Sequence, residues 1–272
     1  MKDNVYTTIK NNFIEDDNLD WFINLDKSVS CYNKIVSALK KPLKLVLFYG
    51  KPGSGKTFLL NKIKNDLKDK NDIIFFSHPF FSEKDFIYAI YGKIFGDKNP
   101  DIENFENFLR AYSSKFKADE KHINNQKIVI LDEAQLYPPE LIEKIRLMAD
   151  SRFFKFLFTI HKTENEDLLA KDYFQTRIWE SIELKSAEMP EIRLYIQKKI
   201  ENFINKINFN DEDYQIIYNF TDGNLRNINK LMYKFFEICE SYEVNQPSFL
   251  TDLRKNYKIL HMAAISLGII NA

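Results

Sequence analysis

Short unbroken apolar runs alternate along the chain with stretches in which apolar residues recur every three or four positions. "SVSCYNKIVSAL" (Ser28 to Leu39) has the helical spacing, and Pro42 ends it. "LKLVLFYG" then runs apolar at strand length and closes on Gly50. "KTFLLNKIKNDL" returns to the helical period, and "DIIFFS" (Asp72 to Ser77) reads as a second buried strand. "EKDFIYAIYGKIF" and "ENFENFLRAYSSKF" predict two helices before a third strand in "KIVILDEAQ" (Lys127 to Gln135). "PELIEKIRLMAD" is helical, "FFKFLFTI" (Phe153 to Ile160) is a fourth strand, "EDLLAKDYF" is helical and "SIELK" (Ser181 to Lys185) is a short fifth strand.

Strands that alternate with helices predict an α/β fold, a parallel sheet with both faces covered. From Pro190 the pattern changes. "EIRLYIQKKIENFINKI", "DEDYQIIYNFT" and "LRNINKLMYKFFEICESY" predict helices with no strand between them. The expected organisation is a lead-in and five-stranded α/β core over 1–186, a small all-helical lid over 187–245 and a helical extension over 246–272.

Three of the seven glycines fall in one turn, between the first strand and its helix. "GKPGSGKT" fits G-x-x-x-x-G-K-[ST] with Gly50, Gly55, Lys56 and Thr57. Glycine permits backbone conformations a Cβ would forbid, and lets amides approach an anion closely. Successive N–H groups then form an anion-binding concavity, to which the helix starting near Gly55 adds unpaired N–H groups and the positive end of its dipole. Lys56 supplies a mobile charge for terminal phosphates, and the Thr57 hydroxyl suits a magnesium ligand. Gly50, Lys51, Pro52, Gly53, Ser54, Gly55, Lys56, Thr57 and Phe58 are therefore the expected binding residues for ATP with Mg2+.

"IVILDE" places Asp132 and Glu133 at the carboxyl end of a buried strand, where open parallel sheets bind ligands. Asp132 is expected to orient magnesium, directly or through water, and Glu133 to take a proton from the water that attacks the γ-phosphate. An acid directly after the metal acid points to water activation, so to an ATPase rather than a small-molecule kinase.

Composition narrows the partners. Lys+Arg and Asp+Glu balance at 39 each in 272 residues, so no global basic field draws the chain to nucleic acid or an anionic membrane. Local clusters remain at Lys40, Lys41 and Lys44, and at Arg254, Lys255 and Lys258. Cys31 and Cys239 lie far apart and outside any CxxC pair, which argues against a disulfide scaffold or zinc site and for a reducing compartment. The amino end lacks the apolar core of a signal peptide, and "MAAISLGII" (Met262 to Ile270) is too short to cross a bilayer; it reads as a packed helix end, with a membrane-surface contact as the alternative.

The order of these features, with a polar fourth-strand end, an arginine before the fifth strand and "GNLRNINKL" in a helical tail, resembles the AAA+ P-loop ATPases over about residues 5–240. Within them the similarity is to the ExeA/GspA-type ATPases of bacterial secretion and DNA uptake, and to their transposition-helper relatives of the TniB/MuB type. It is carried by "FINLDKSVSCYNKIVSAL", "LDEAQLYPPELIEKIRLMAD", "FQTRIWESIELKSAEMPEIRLYIQKKI" and "TDGNLRNINKLMYKFFEI". The resemblance implies that Thr159 or His161 fills a sensor position touching the γ-phosphate or attacking water, although the family usually has a glutamine near His161. It implies that Arg177 is an arginine finger reaching a neighbouring subunit's nucleotide, hence a homo-oligomer, and that Arg226 is the lid arginine reporting on the γ-phosphate.

ExeA-type proteins commonly continue into a membrane span and a periplasmic region; this chain stops after a helical extension. The expectation is a cytoplasmic protein, brought to the inner membrane, if at all, by a partner. The implied function is an ATPase that energises or assembles a secretion or DNA-uptake (competence) apparatus and contacts its proteins. The alternatives are a transposition helper binding DNA, or a nucleotide-gated switch with little turnover.

Overall fold

The computed structural model describes residues 4–15, 19–67, 73–96, 102, 104–116, 126–161, 178–204, 207–252 and 254–271. In chain order the elements are α1 Val5–Asn11, α2 Asp26–Lys40, β1 Leu45–Gly50, α3 Lys56–Leu67, β2 Ile73–Phe76, α4 Glu83–Phe95, α5 Phe105–Lys115, β3 Lys127–Leu131, α6 Pro139–Asp150, β4 Phe154–His161 and β5 Glu180–Leu184. Then follow α7 Met189–Lys199, α8 Asp211–Thr221, α9 Leu225–Asn245 and α10 Lys255–Ser266, with short 3-10 turns between several of them. The helix expected in "EDLLAKDYF", and Arg177, lie outside the described residues.

The chain divides into two units. The first, residues 30–50 and 59–184, holds a five-stranded sheet in the order β2-β3-β4-β1-β5, every pair parallel. The apolar runs explain that arrangement, because a strand buried on both faces has no polar side to alternate. Leu45, Leu47, Val129, Leu131, Phe156 and Phe158 join one core with Phe86 and Ile90 of α4, Phe108 and Tyr112 of α5, and Leu141 and Ile145 of α6. The intervening Val46, Phe48, Ile128, Ile130 and Leu157 are equally buried and point to the other face. Local signals set the helix ends. Ser82 Oγ accepts from the Asp85 N–H, Gly96 closes α4 with φ +79, and Pro139 opens α6 at the first helical position, where a missing N–H costs nothing.

The second unit comprises residues 1–29, 51–58 and 185–272. Its core takes Ile9 and Phe13 from the amino-terminal segment, Ile192 and Ile196 from α7, Tyr214 and Ile217 from α8, Ile228, Leu231, Met232, Phe235 and Phe236 from α9, and Ile259, Leu260, Ala263 and Ala264 from α10. Each set recurs at helical spacing. Phe13 stacks on Phe236 at 5.7 Å between centroids, and Lys10 pairs with Glu240 at 2.6 Å. The lead-in thus joins the helical core, and "MAAISLGII" contributes buried residues to the same core.

"EIRLYIQKKIENFINKI" is not one helix. It stops at Lys199 and continues as a 3-10 turn over Glu201–Phe203. Tertiary partners compete with the helix at that point. Asn12 Nδ2 donates to the Lys199 carbonyl at 2.7 Å, and Lys199 Nζ returns a bond to the Asn12 carbonyl at 2.5 Å. The Lys199 ammonium also lies 5.2–5.6 Å from the ring centroids of Phe13, Trp21 and Tyr195, which suits a buried cation.

Burial holds two groups of this unit protonated. The Cys239 thiol on α9 is pushed from its ordinary 9.0 up to about 12, and the Tyr6 phenol on α1 from 10.0 to about 12, in both cases chiefly by desolvation. Between pH 9 and about 12 the unfolded chain has lost the Cys239 proton while the folded one keeps it. The contribution of Cys239 to stability is therefore full below pH 9 and lost as the pH rises through that window. Urea unfolding of the chain is expected to show a falling midpoint across it, and a shallower fall in Cys239→Ala; equal slopes would show that the thiol contributes nothing.

Candidate active site

The residues expected to carry the chemistry fall into two groups, one in each unit. The first is the loop between β1 and α3. Gly53 (φ +78) and Gly55 (φ +95) stand in the left-handed region that side chains rarely adopt, and the Ser54 N–H closes the turn on the Lys51 carbonyl at 3.2 Å. Lys56 is 4% exposed, and its Nζ donates to the Lys51 carbonyl at 3.1 Å. The buried Ser54 Oγ has no hydrogen-bond partner, and Thr57 is exposed. A buried ammonium and an unsatisfied buried hydroxyl at the amino terminus of a twelve-residue helix form a donor set that fits an anion.

The segment that opens α9 grips this loop. Asn224 caps α9 through the Asn227 N–H and donates Nδ2 to the Pro52 carbonyl at 2.6 Å. The Arg226 N–H donates to the Gly53 carbonyl at 3.2 Å, and Lys51 pairs with Asp222 at 2.9 Å. A Cβ on Gly53 would stand 2.5 Å from Asn224 Oδ1 and 2.8 Å from Arg226 Cβ, so glycine is required there by proximity as well as by φ. The Arg226 guanidinium is bound elsewhere, with Nε 3.0 Å from Glu15 Oε1. Phe58 stacks with Phe22 of the lead-in at 6.0 Å.

The second group sits at the carboxyl ends of β3 and β4. Register pairs Leu131 with Phe158 across β3 and β4, and His161 with Gly50 across β4 and β1. The Asp132 N–H continues the pairing to the Phe76 carbonyl at 3.0 Å, and the residue is 3% exposed. Asp132 Oδ1 accepts from the fully buried Thr159 hydroxyl and from the Glu133 N–H at 3.0 Å; the Glu133 N–H also lies 3.3 Å from Thr159 Oγ1. Thr159 therefore orients Asp132. Glu133 stands at φ +54, ψ +40 and leads into a 3-10 turn over Ala134–Leu136. Its Oε1 is 3.0 Å from His161 Nε2, and its Oε2 accepts from Gln135 Nε2.

Taken separately, the Thr57 hydroxyl in one unit and the Asp132 carboxylate in the other each offer oxygen, the donor a hard cation such as magnesium takes. Among the described residues, no group of three or more His, Cys, Asp or Glu is placed to hold a metal ion. Gln135 and Tyr137 carry no role in the sequence reading. The Tyr137 phenol is buried without a hydrogen-bond partner, and its pKa is raised by burial and then by the charge of Asp132. Apart from adjacency to "DE", nothing in the sequence singles them out, because His161, which bonds Gln135, and Phe80, whose ring meets Tyr137, are distant in the chain.

A family model described as "AAA domain" matches residues 40–169. The chromosomal replication initiator protein DnaA of Helicobacter hepaticus is 26% identical over 231 residues, covering 82% of this chain and 45% of the relative. The chain thus spans under half the length of that curated relative. Among solved structures, Cdc6p from Pyrobaculum aerophilum aligns with a TM-score of 0.63 at 14% identity, over 86% of this chain and 66% of its own. The Aeropyrum pernix ORC1 protein, solved in complex with DNA, gives 0.61 at 13% identity over 95% and 69%. Thermotoga maritima RuvB gives 0.57 at 18% identity over 94% and 73%. These likenesses show the fold, an α/β architecture on a five-stranded parallel sheet that the chain shares with those solved structures.

Proposed function

We propose that this chain is an AAA+ P-loop ATPase that binds ATP with magnesium, hydrolyses it and couples the cycle to a nucleic-acid partner; in support, one relative is named a chromosomal replication initiator and one similar structure was solved in complex with DNA. The observation that carries the reading is the acid pair after β3: Asp132 oriented by Thr159, with Glu133 turned by a left-handed backbone toward the end of β4. Lys56 and the α3 amino terminus take phosphate charge. Thr57 and Asp132 hold magnesium, which when bound neutralises phosphate oxygens and fixes their geometry. Glu133 accepts the proton of the attacking water, and Arg177 acts across a homo-oligomer. Arg226 serves as the lid arginine by exchanging Glu15 for phosphate.

The test is ATP binding and magnesium-dependent phosphate release by the full chain and by Lys56→Met, which keeps the buried stem and removes the charge. Losing charge-assisted hydrogen bonds of about 1.5–3 kcal/mol corresponds to roughly 10- to 100-fold weaker ATP binding. Equal affinity in the two proteins would overturn the assignment of Lys56.

The role of nucleic acid is tested separately, by DNA affinity against salt, where phosphate contacts give a steep decline. The two basic clusters are weak candidates for those contacts. Lys41 pairs with Glu180 at 3.0 Å, Lys44 with Asp150 at 2.7 Å, and Lys258 with Asp252. The second reading, an ATPase of a secretion or DNA-uptake apparatus, rests on the sequence resemblances alone and draws no support from the relatives reported above. No helix among the described residues is long and apolar enough to cross a membrane.

A further inference from the structure

Given the reading of Glu133 as the base, on which this step rests, we propose that Gln135 is a positioning residue for hydrolysis that clamps the Glu133 carboxylate jointly with His161. Each carboxylate oxygen has its own donor. Oε2 accepts from Gln135 Nε2, and Oε1 lies 3.0 Å from His161 Nε2. The other end of the Gln135 amide is also used, because its Oε1 accepts from the His161 backbone N–H at 3.3 Å. These partners define which way the amide points. A carboxylate only accepts and a backbone N–H only donates, so a flipped amide would lose both bonds. Gln135 therefore ties the acid after β3 to the end of β4 by two bonds of opposite sense.

The backbone makes the clamp possible. Glu133 in the left-handed region starts the 3-10 turn over Ala134–Leu136, and this places the amide of the residue two positions on against the Glu133 carboxylate. Glu133 and His161 keep side chains 26% and 28% exposed, so the clamped carboxylate stays open to water. A carboxylate has about four lone-pair sites, and the clamp takes one on each oxygen, leaving capacity for a water proton. A long, half-exposed glutamate would otherwise sample several rotamers, and proton transfer needs a group held in one geometry. The family resemblance implies that Thr159 or His161 touches the γ-phosphate or the attacking water; here the His161 imidazole lies against Glu133.

The experiment is steady-state ATP hydrolysis by the full chain with Gln135→Met, which keeps length without a donor or acceptor, and with Gln135→Glu, which keeps an acceptor for the His161 N–H but sets a second carboxylate against Glu133. Since small displacements of a catalytic group cost up to about 100-fold, both variants are expected to lower kcat roughly 10- to 100-fold, with KM and ATP affinity changed by less than about 2-fold. In a Glu133→Gln background neither substitution is expected to lower the residual rate further, because the group being positioned is gone. An unchanged or raised kcat in Gln135→Met, a rise in KM at constant kcat, or a loss that multiplies fully with that of Glu133→Gln would each overturn the clamp. If Glu133→Gln itself hydrolyses at the wild-type rate, the base assignment fails and the clamp falls with it. If Glu133→Gln is inactive while Gln135→Met is fully active, only the clamp fails.

Discussion

Glu133→Gln is expected to bind ATP with magnesium as the wild type does and to hydrolyse it about 10²–10⁴-fold more slowly, the range for loss of a general acid or base. That range corresponds to about 3–5 kcal/mol of transition-state stabilisation. Binding is expected to be spared because the groups proposed to take phosphate, Lys56 and the turn of Gly53 and Gly55, belong to the loop after β1 and keep their own residues and backbone. Turnover is lost because an amide does not take a proton from water near neutrality.

The substitution also disturbs the clamp in a defined way. His161 Nε2 and Gln135 Nε2 face the two carboxylate oxygens, and one of those oxygens becomes an NH2 group. The NH2 must then oppose the Gln135 donor or require the imidazole to accept. Calorimetry of ATP binding beside single-turnover phosphate release separates the two effects. Comparable turnover in Glu133→Gln and wild type would remove the base from Glu133 and favour a switch with little dependence on hydrolysis.

Gly223→Ala is expected to destabilise the helical unit by roughly 3–5 kcal/mol, combining left-handed backbone strain of about 1–3 kcal/mol with the clash of an overpacked site. Gly223 has φ +67, directly after Asp222, itself left-handed at φ +49 as it ends α8. A Cβ at Gly223 would stand 1.9 Å from the Ala187 carbonyl oxygen and 2.9 and 3.0 Å from that residue's carbonyl carbon and nitrogen. These are backbone atoms, so no side chain can swing aside. The same contact carries the hydrogen bond from the Ala187 N–H to the Gly223 carbonyl at 2.9 Å, which relief of the clash would stretch.

Against a total stability of about 5–15 kcal/mol, such a loss unfolds a marginal protein. Gly92 is the control. It lies within α4 with nothing within 4 Å of its missing Cβ, and Gly92→Ala is expected to gain about 0.5–1 kcal/mol from helix propensity. Urea unfolding of both variants tests the pair, and a Gly223→Ala protein as stable as Gly92→Ala would contradict the close backbone approach.

The elements of the sheet unit were readable because strands buried on both faces carry unbroken apolar runs. "LVLFYG" and "IIFF" became β1 and β2 within two residues of the expected ends; β3 stops at Leu131, four residues before the expected end at Gln135, and "ESIEL", which alternates polar and apolar residues, became β5 within one residue. Helices α4, α6, α8 and α9 were readable from period and caps. The P-loop and the acid pair could be named because their chemistry depends on residue type at short spacing, which is local information. Arg177 lies outside the described residues, so its placement adds nothing to that reading.

The linear order of residues settled the α/β pattern, the glycine turn with Lys56, and the two acids at a strand end, since each depends on neighbours a few positions apart. Folding alone decided the strand order that puts Thr159 and His161 beside Asp132 and Glu133, the two-ended use of Gln135, the seating of Asn224 and Arg226 on the Gly53 turn, and the Asn12 contact that ends α7 early. Apart from the bond between Gln135 and Glu133, two positions apart, the partners in those contacts are 26 to 187 positions apart, as with Gln135 and His161 at one extreme and Asn12 and Lys199 at the other. No local propensity encodes such pairs. They are set by which packed arrangement satisfies the buried polar groups and fills the two cores together.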